Sequence, residues 1–202
     1  EIRLSLVGSE MCIRDRAISK SLKKNDPNHL NLGIRYGYIE QLDDELLRIS
    51  KESFDALSFN CYALSPDHEK MNHALEISGL PMIIGEYHFG TVDRGLAQSL
   101  WQVNSQKERG DAFRYYTENA FAHRGLIGTG WFRWIDQNIN GRTDGENYNC
   151  GFIDVTDRPY PYMVDAAIET AKSLYEIHSG TKTPFHQAPN AVGHSPIPDL
   201  WE

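Results

Sequence analysis

One pattern constrains this chain more than any other. From Ala17 onward, short apolar runs alternate with amphipathic stretches, four times over. Ala17–Lys24 reads as the end of a helix, broken by Asp26-Pro27-Asn28. Strands are expected at His29–Tyr36 (HLNLGIRY), Asp55–Tyr62 (DALSFNCY), Pro81–Phe89 (PMIIGEYHF) and Leu126–Ile135 (LIGTGWFRWI). Between and after them, helices are expected at Ile39–Phe54, Pro66–Ser78, Leu96–Arg124 and Pro161–His178. Leu42, Leu46, Leu47 and Ile49 stripe the first of these, and Gly79 caps the second. The third is expected to break near Gly110. The last carries Val164, Ala167, Ile168, Ala171, Leu174 and Tyr175 at helical spacing. Gly151–Val155 reads as a short extended piece. Strict strand–helix alternation argues for a parallel sheet with helices outside it. A doubly wound open sheet and a (β/α)8 barrel both fit. No glycine-rich phosphate loop is present, which weakens nucleotide binding.

Composition removes other classes. With 20 basic and 28 acidic residues and a net charge of −8, the balance argues against a nucleic-acid binder, which would show a basic stripe. No apolar run reaches the roughly 20 residues that span a bilayer. The segment Leu6–Arg16 (LVGSEMCIRDR) resembles translated sequencing adapter: the transposase end used in library preparation reads Met-Cys-Ile-Arg-Asp, and the codons before it read Leu-Val-Gly-Ser-Glu. Residues 1–16 are therefore expected to be non-native, with the natural chain starting near Ala17 and any signal segment lying before it. Cys12 falls in that segment. Cys61 and Cys150 remain, at no metal-ligand spacing.

The polar and aromatic residues that could carry chemistry gather at the strand ends. The four strands finish with Arg35-Tyr36, with Asn60-Cys61-Tyr62, with Glu86-Tyr87-His88, and with Trp131, Trp134, Asp136 and Gln137. Barrel enzymes build their sites at these ends. Glu86 is the sharpest case, because it follows the apolar run Met82-Ile83-Ile84-Gly85, where an unpartnered carboxylate is costly. It is a nucleophile or acid/base, or else a structural glutamate paired with Arg35. Gly85 leaves room for close approach of a ligand or backbone. His88 lies two residues on, hence on the same side of the strand as Glu86. It is placed to bond substrate or Glu86, or to sit satisfied in the core.

The stretches PMIIGEYHFG and GTGWFRWIDQNINGRTDGENYNCGFIDVTDRPYP resemble the seventh and eighth strands of clan A glycoside hydrolases, most of all glycoside hydrolase family 50, the β-agarases. The β-galactosidase families of the same clan are the second likeness. The resemblance implies an α/β fold, the C-terminal half of a (β/α)8 TIM barrel over residues 17–180, truncated at its N-terminus. It implies Glu86 as the nucleophile of a retaining hydrolase acting on a galactose-containing polysaccharide. It also implies Trp131 or Trp134 as the aromatic platform, and Asn60 and Tyr62 as the polar end of the sixth strand. Arg35, Asn60, Tyr62 and His88 would orient Glu86 and the sugar. No cofactor is needed. The clan's acid/base glutamate follows an asparagine on an earlier strand, which would precede Ala17. The piece alone is therefore expected to be inactive, because a retaining site needs two carboxylates.

The loop from Asp136 to Asn149 offers Asp136, Gln137, Arg142, Asn147 and Tyr148 to sugar hydroxyls, or caps the fold as a solvated loop. Its resemblance to a calcium-binding loop fails at the twelfth position, Asn147. His68-Glu69 and His73 miss the HExxH zinc spacing. Residues 181–202 read as an irregular proline-rich tail: a loop, a linker or a strap. Two rival functions stand beside the hydrolase: a carbohydrate-binding barrel without catalysis, and an unrelated α/β protein in which Glu86 is structural.

Overall fold

The computed structural model describes the backbone of residues 2–194 and side chains from residue 13. Pro196 and Pro198 of the tail lie outside the described residues. Among the described residues, five helices and six strands follow one another: α1 (Ile2–Asn25), β1 (Arg35–Tyr36), α2 (Asp44–Ser53), β2 (Leu57–Asn60), α3 (His68–Ser78), β3 (Met82–Tyr87), β4 (Trp101–Gln102), α4 (Gln106–Phe121), β5 (Leu126–Trp131), α5 (Pro161–His178) and β6 (Val192–Gly193). The main sheet is parallel, in the order β1-β2-β3-β5, with Arg35 opposite Ser58 and Tyr36 opposite Phe59. Neighbours in the sheet are neighbours in the chain, each reached through a helix, as in part of a barrel. β4 and β6 form a separate antiparallel pair.

The chain divides into two compact units. The first holds α1, β1, α2, β2, α3 and the opening residues of β3 and β5. Leu57 and Phe59 of β2, Met82 and Ile84 of β3, Leu126 of β5, and Met71 and Ala74 of α3 are buried there. Asp67 caps α3 by accepting from the Glu69 and Lys70 amides, and Gly79 closes it in the left-handed conformation, φ 67°. β2 is shorter than the expected Asp55–Tyr62 and α3 starts at His68, not Pro66; two other expectations change more. The strand expected over His29–Tyr36 shrinks to Arg35–Tyr36. Asn31 instead ties this stretch to its neighbours: its side chain donates to Ser19 of α1 and to the Ser53 carbonyl, and its own amide donates to the Asp55 carboxylate. The helix expected from Ile39 starts at Asp44, because the Asp43 carboxylate accepts the Leu46 amide and sets the cap there; Ile39–Gln41 forms a separate 3-10 turn.

The second unit holds the ends of β3 and β5, then β4, α4, the loop after β5, α5 and β6. The helix expected over Leu96–Arg124 begins only at Gln106, because Trp101–Gln102 pair with Val192–Gly193. It runs unbroken through Gly110. The missing side chain there admits the α5 backbone: a Cβ would lie 2.5 Å from the Tyr162 carbonyl oxygen. α5 matches its expected bounds, with Pro161 in its first turn. Its buried face is different, formed by Met163, Ala166, Thr170, Ser173 and Ile177, while Tyr175 is 88% exposed. The tail up to residue 194 is a strap. Phe185 donates its amide to buried Glu118 and accepts from Asn119, and β6 then pairs with β4.

Candidate active site

β3 carries the site because its residues alternate between two surroundings. Tyr87 points to the helical layer: it stacks on Tyr116 of α4 with ring centroids 4.0 Å apart, and its hydroxyl meets Thr117 at 2.5 Å. Glu86 and His88 take the opposite side. Glu86 is half-buried, and its Oε2 accepts a hydrogen bond from the Tyr62 hydroxyl at 2.8 Å. Burial first, and then the Glu86 carboxylate, push the Tyr62 phenol far above its ordinary range. Tyr62 is therefore a fixed donor, not an acid.

His88 is the hub of this side. It is 2% exposed, and burial pushes its pKa down to about 3, so the ring is neutral. Its Nε2 accepts from the Leu100 amide at 3.1 Å. That leaves Nδ1 as the protonated nitrogen, which donates to the Phe132 carbonyl at 3.1 Å. Both nitrogens are thereby used by backbone. The ring faces gather aromatics: Tyr62 edge-on at 5.0 Å, Phe132 at 5.9 Å and Tyr148 at 5.8 Å between centroids. The Arg142 guanidinium lies 5.8 Å from the Phe132 ring centre.

The two tryptophans separate. Trp131 lies on the Tyr87 side: its ring meets Tyr87 at 5.2 Å, Phe113 of α4 at 5.6 Å and Phe152 at 5.8 Å. Its indole N–H donates to the Cys150 carbonyl at 2.7 Å. The next residue, Phe132, packs against His88, which lies on the same side of β3 as Glu86 by strand alternation. Trp134 is 66% exposed and stacks on Phe152, leaving ring surface open to a ligand.

The loop after β5 is wired to itself. Asp136, 4% exposed, accepts from the Gly151 amide at 2.7 Å, the Asn149 side chain at 2.8 Å and the Tyr160 hydroxyl at 2.6 Å. Gln137 is fully buried, donating to Glu146 and accepting the Tyr148 amide. Asn147 donates to the Ile139 carbonyl and accepts the Ala97 amide, both at 3.3 Å. Arg142 is exposed and pairs with Asp144 at 2.7 Å and Glu146 at 3.4 Å. Arg35 and Asn60 belong to the first unit, where both crowd Gly85: its missing Cβ would collide with the Arg35 side chain and lie 3.3 Å from the Asn60 side-chain amide oxygen. The room expected at Gly85 is thus occupied by Arg35.

Sequence reasoning passed over the residues that hold this framework. Arg109 of α4 is fully buried, and its two terminal nitrogens donate to the carbonyls of Asn149 and Gly151. Gln106 donates to Thr91, Asp93 and the Asn149 side chain. Neither residue belongs to a motif, and only the burial of long polar side chains on a helix marks them. Cys150 is inert, its thiol pushed up to about 12 by burial and then by Asp136.

No family model matches the chain. It is 36% identical over 165 residues to β-agarase A of Vibrio sp. (strain JT0107), a match covering 78% of the chain and 16% of that relative. Among solved structures, it is similar to an agarase (36% identity, TM-score 0.79, 86% of this chain and 27% of that one). It is also similar to an exo-β-agarase (32% identity, TM-score 0.79, 88% of this chain and 24% of that one). The chain spans about a sixth of the length of the curated relative and about a quarter of each solved structure.

Proposed function

We propose that this chain is the C-terminal half of a (β/α)8 barrel in a retaining glycoside hydrolase that cleaves an agar-type galactan, with Glu86 as its nucleophile. One observation carries the reading: a half-buried carboxylate at the end of β3, held by a tyrosine hydroxyl that stays protonated, in a segment whose relatives are agarases. In this reading β3 and β5 are the seventh and eighth strands. Glu86 attacks the anomeric carbon, the glycosidic C–O bond breaks, and the leaving oxygen takes a proton from a second carboxylic acid. Water then cleaves the glycosyl ester. That second carboxylate sits roughly 5–5.5 Å from the nucleophile in retaining enzymes and belongs to a part of the protein outside this chain. Tyr62 holds the Glu86 oxygen in line, and Phe132 offers its ring to the sugar. Trp134 and Arg142 extend the contact outward. The chemistry calls for no metal or cofactor.

The test is Glu86→Gly in the complete protein, assayed on agarose oligosaccharides with and without azide. A nucleophile variant loses at least a thousandfold in turnover and regains activity with azide, giving a glycosyl azide of inverted configuration. An acid/base variant gives the retained azide. Unchanged turnover removes Glu86 from the chemistry and leaves a carbohydrate-binding barrel as the reading to pursue.

A further inference from the structure

Arg109 is an unusual residue to bury. It sits on α4, fully enclosed, with its guanidinium 4.4 Å from the Tyr160 ring centre. Its fork does not meet a carboxylate. Nη1 donates to the Asn149 carbonyl at 2.9 Å and Nη2 to the Gly151 carbonyl at 2.7 Å. These two residues flank Cys150, and the Cys150 carbonyl accepts the Trp131 indole N–H at 2.7 Å. Gripping the two outer carbonyls fixes the one between them. A lysine has no planar fork and cannot hold both.

The chain of contacts continues from Trp131. The next residue, Phe132, donates its amide to the Tyr87 carbonyl at 2.9 Å and accepts the His88 Nδ1–H. The His88 ring supports Tyr62, and Tyr62 donates to Glu86. Each link is a directional hydrogen bond, a ring packed edge-on or a step between adjacent residues of the backbone. We propose that Arg109 is a positioning residue for Glu86, acting through Cys150, Trp131, Phe132, His88 and Tyr62. The inference rests on the hydrolase reading for its catalytic consequence, but not for its first structural step. In this arrangement Trp131 is a strut on the helical side of the sheet and touches no sugar, so disturbing it alters the geometry of attack more than the affinity for substrate.

Two measurements test it. In the complete protein labelled with 15N at tryptophan, the Trp131 indole resonance is assigned by its loss in Trp131→Phe. Arg109→Lys is expected to speed its exchange with solvent at least tenfold while leaving the Trp134 indole unchanged. Equal exchange in a folded Arg109→Lys overturns the clamp. In the complete protein, Arg109→Lys is expected to lower kcat on agarose oligosaccharides about tenfold with KM within about twofold, and to add little when Trp131 is already phenylalanine. Additive losses, or a loss confined to KM, overturn the relay. Should Arg109→Lys fail to fold, Trp131→Phe alone decides: a kcat loss of the same size supports the relay, and wild-type kcat overturns it. If the wild-type complete protein lacks agarase activity, the hydrolase reading fails, and the exchange measurement still decides whether Arg109 holds Trp131.

Discussion

The Tyr62 hydroxyl donates to Glu86 at 2.8 Å while its ring rests edge-on against His88, 5.0 Å between centroids. One tyrosine thus joins the carboxylate to the aromatic support beneath it. Tyr62→Phe keeps the ring packing and removes only the donor. A hydrogen bond to a charged group contributes about 1.5–3 kcal/mol, which corresponds to roughly a tenfold to hundredfold fall in kcat if it is used at the transition state. Kinetics of Tyr62→Phe in the complete protein check this. A variant with native kcat would show that Glu86 is positioned by other groups.

Burial of neutral His88 makes the fold sensitive to acid. Burial holds its pKa down at about 3 in the folded chain, against about 6.5 for an imidazole in water. Between those values the unfolded chain binds the proton and the folded chain does not. The contribution is therefore complete above pH 6.5 and shrinks as pH falls toward 3, by about 1.4 kcal/mol per pH unit at most. Arg109 opposes protonation as well. Urea unfolding at pH 7, 6, 5 and 4 should show the midpoint falling over this window. In His88→Gln the fall should be shallower. A slope unchanged by the substitution would assign the acid sensitivity to other groups.

Some of this molecule was legible in the sequence, and the reasons are local. Pro161 and the following periodicity marked the bounds of α5, Gly79 marked the end of α3, though its start lies at His68 and not at Pro66, and the apolar run before Glu86 marked β3 and its polar end. What was not legible depends on distant partners. Trp101–Gln102 leave the expected helix because Val192–Gly193 come back to pair with them. Whether Trp131 or Phe132 shares the side of Glu86 is set by how β5 registers against β3, which residue types do not encode. Asp136 and Gln137 look like groups offered to a sugar, yet Asn149, Gly151, Tyr160, Glu146 and Tyr148 take up their bonds. Polar residues in a loop announce hydrogen bonding but not its direction.

That difference separates Asp136 from Arg142. Asp136→Asn replaces an acceptor-only carboxylate with a group that presents two N–H donors to a site already full of donors. The expected cost is about 1–3 kcal/mol of stability. Arg142 is exposed, and its ion pairs with Asp144 and Glu146 contribute at most about 1 kcal/mol. Arg142→Ala should therefore leave the melting temperature nearly unchanged and, on the hydrolase proposal, weaken binding of agarose oligosaccharides by the complete protein. The reverse pattern, a stable Asp136→Asn with lost binding, would return Asp136 to the substrate.

The contact between α4 and α5 gives the last prediction. Ile168 and Tyr175 belong to the apolar stripe read from sequence, but the helix turns Met163, Ala166 and Ile177 inward instead. Tyr175→Ser should then change stability by less than about 0.5 kcal/mol, whereas Met163→Ala should cost about 2–5 kcal/mol. Gly110→Ala is the sharper test of the same contact. On an open helix surface this change gains stability, because alanine is the better helix former. Here the added methyl would meet the Tyr162 carbonyl oxygen at 2.5 Å, a backbone atom that cannot rotate away. α5 must shift, carrying with it Tyr160, whose hydroxyl holds Asp136. Denaturant unfolding of Gly110→Ala should therefore show a loss where propensity alone calls for a gain, and a gain would mean that α5 does not approach α4 this closely.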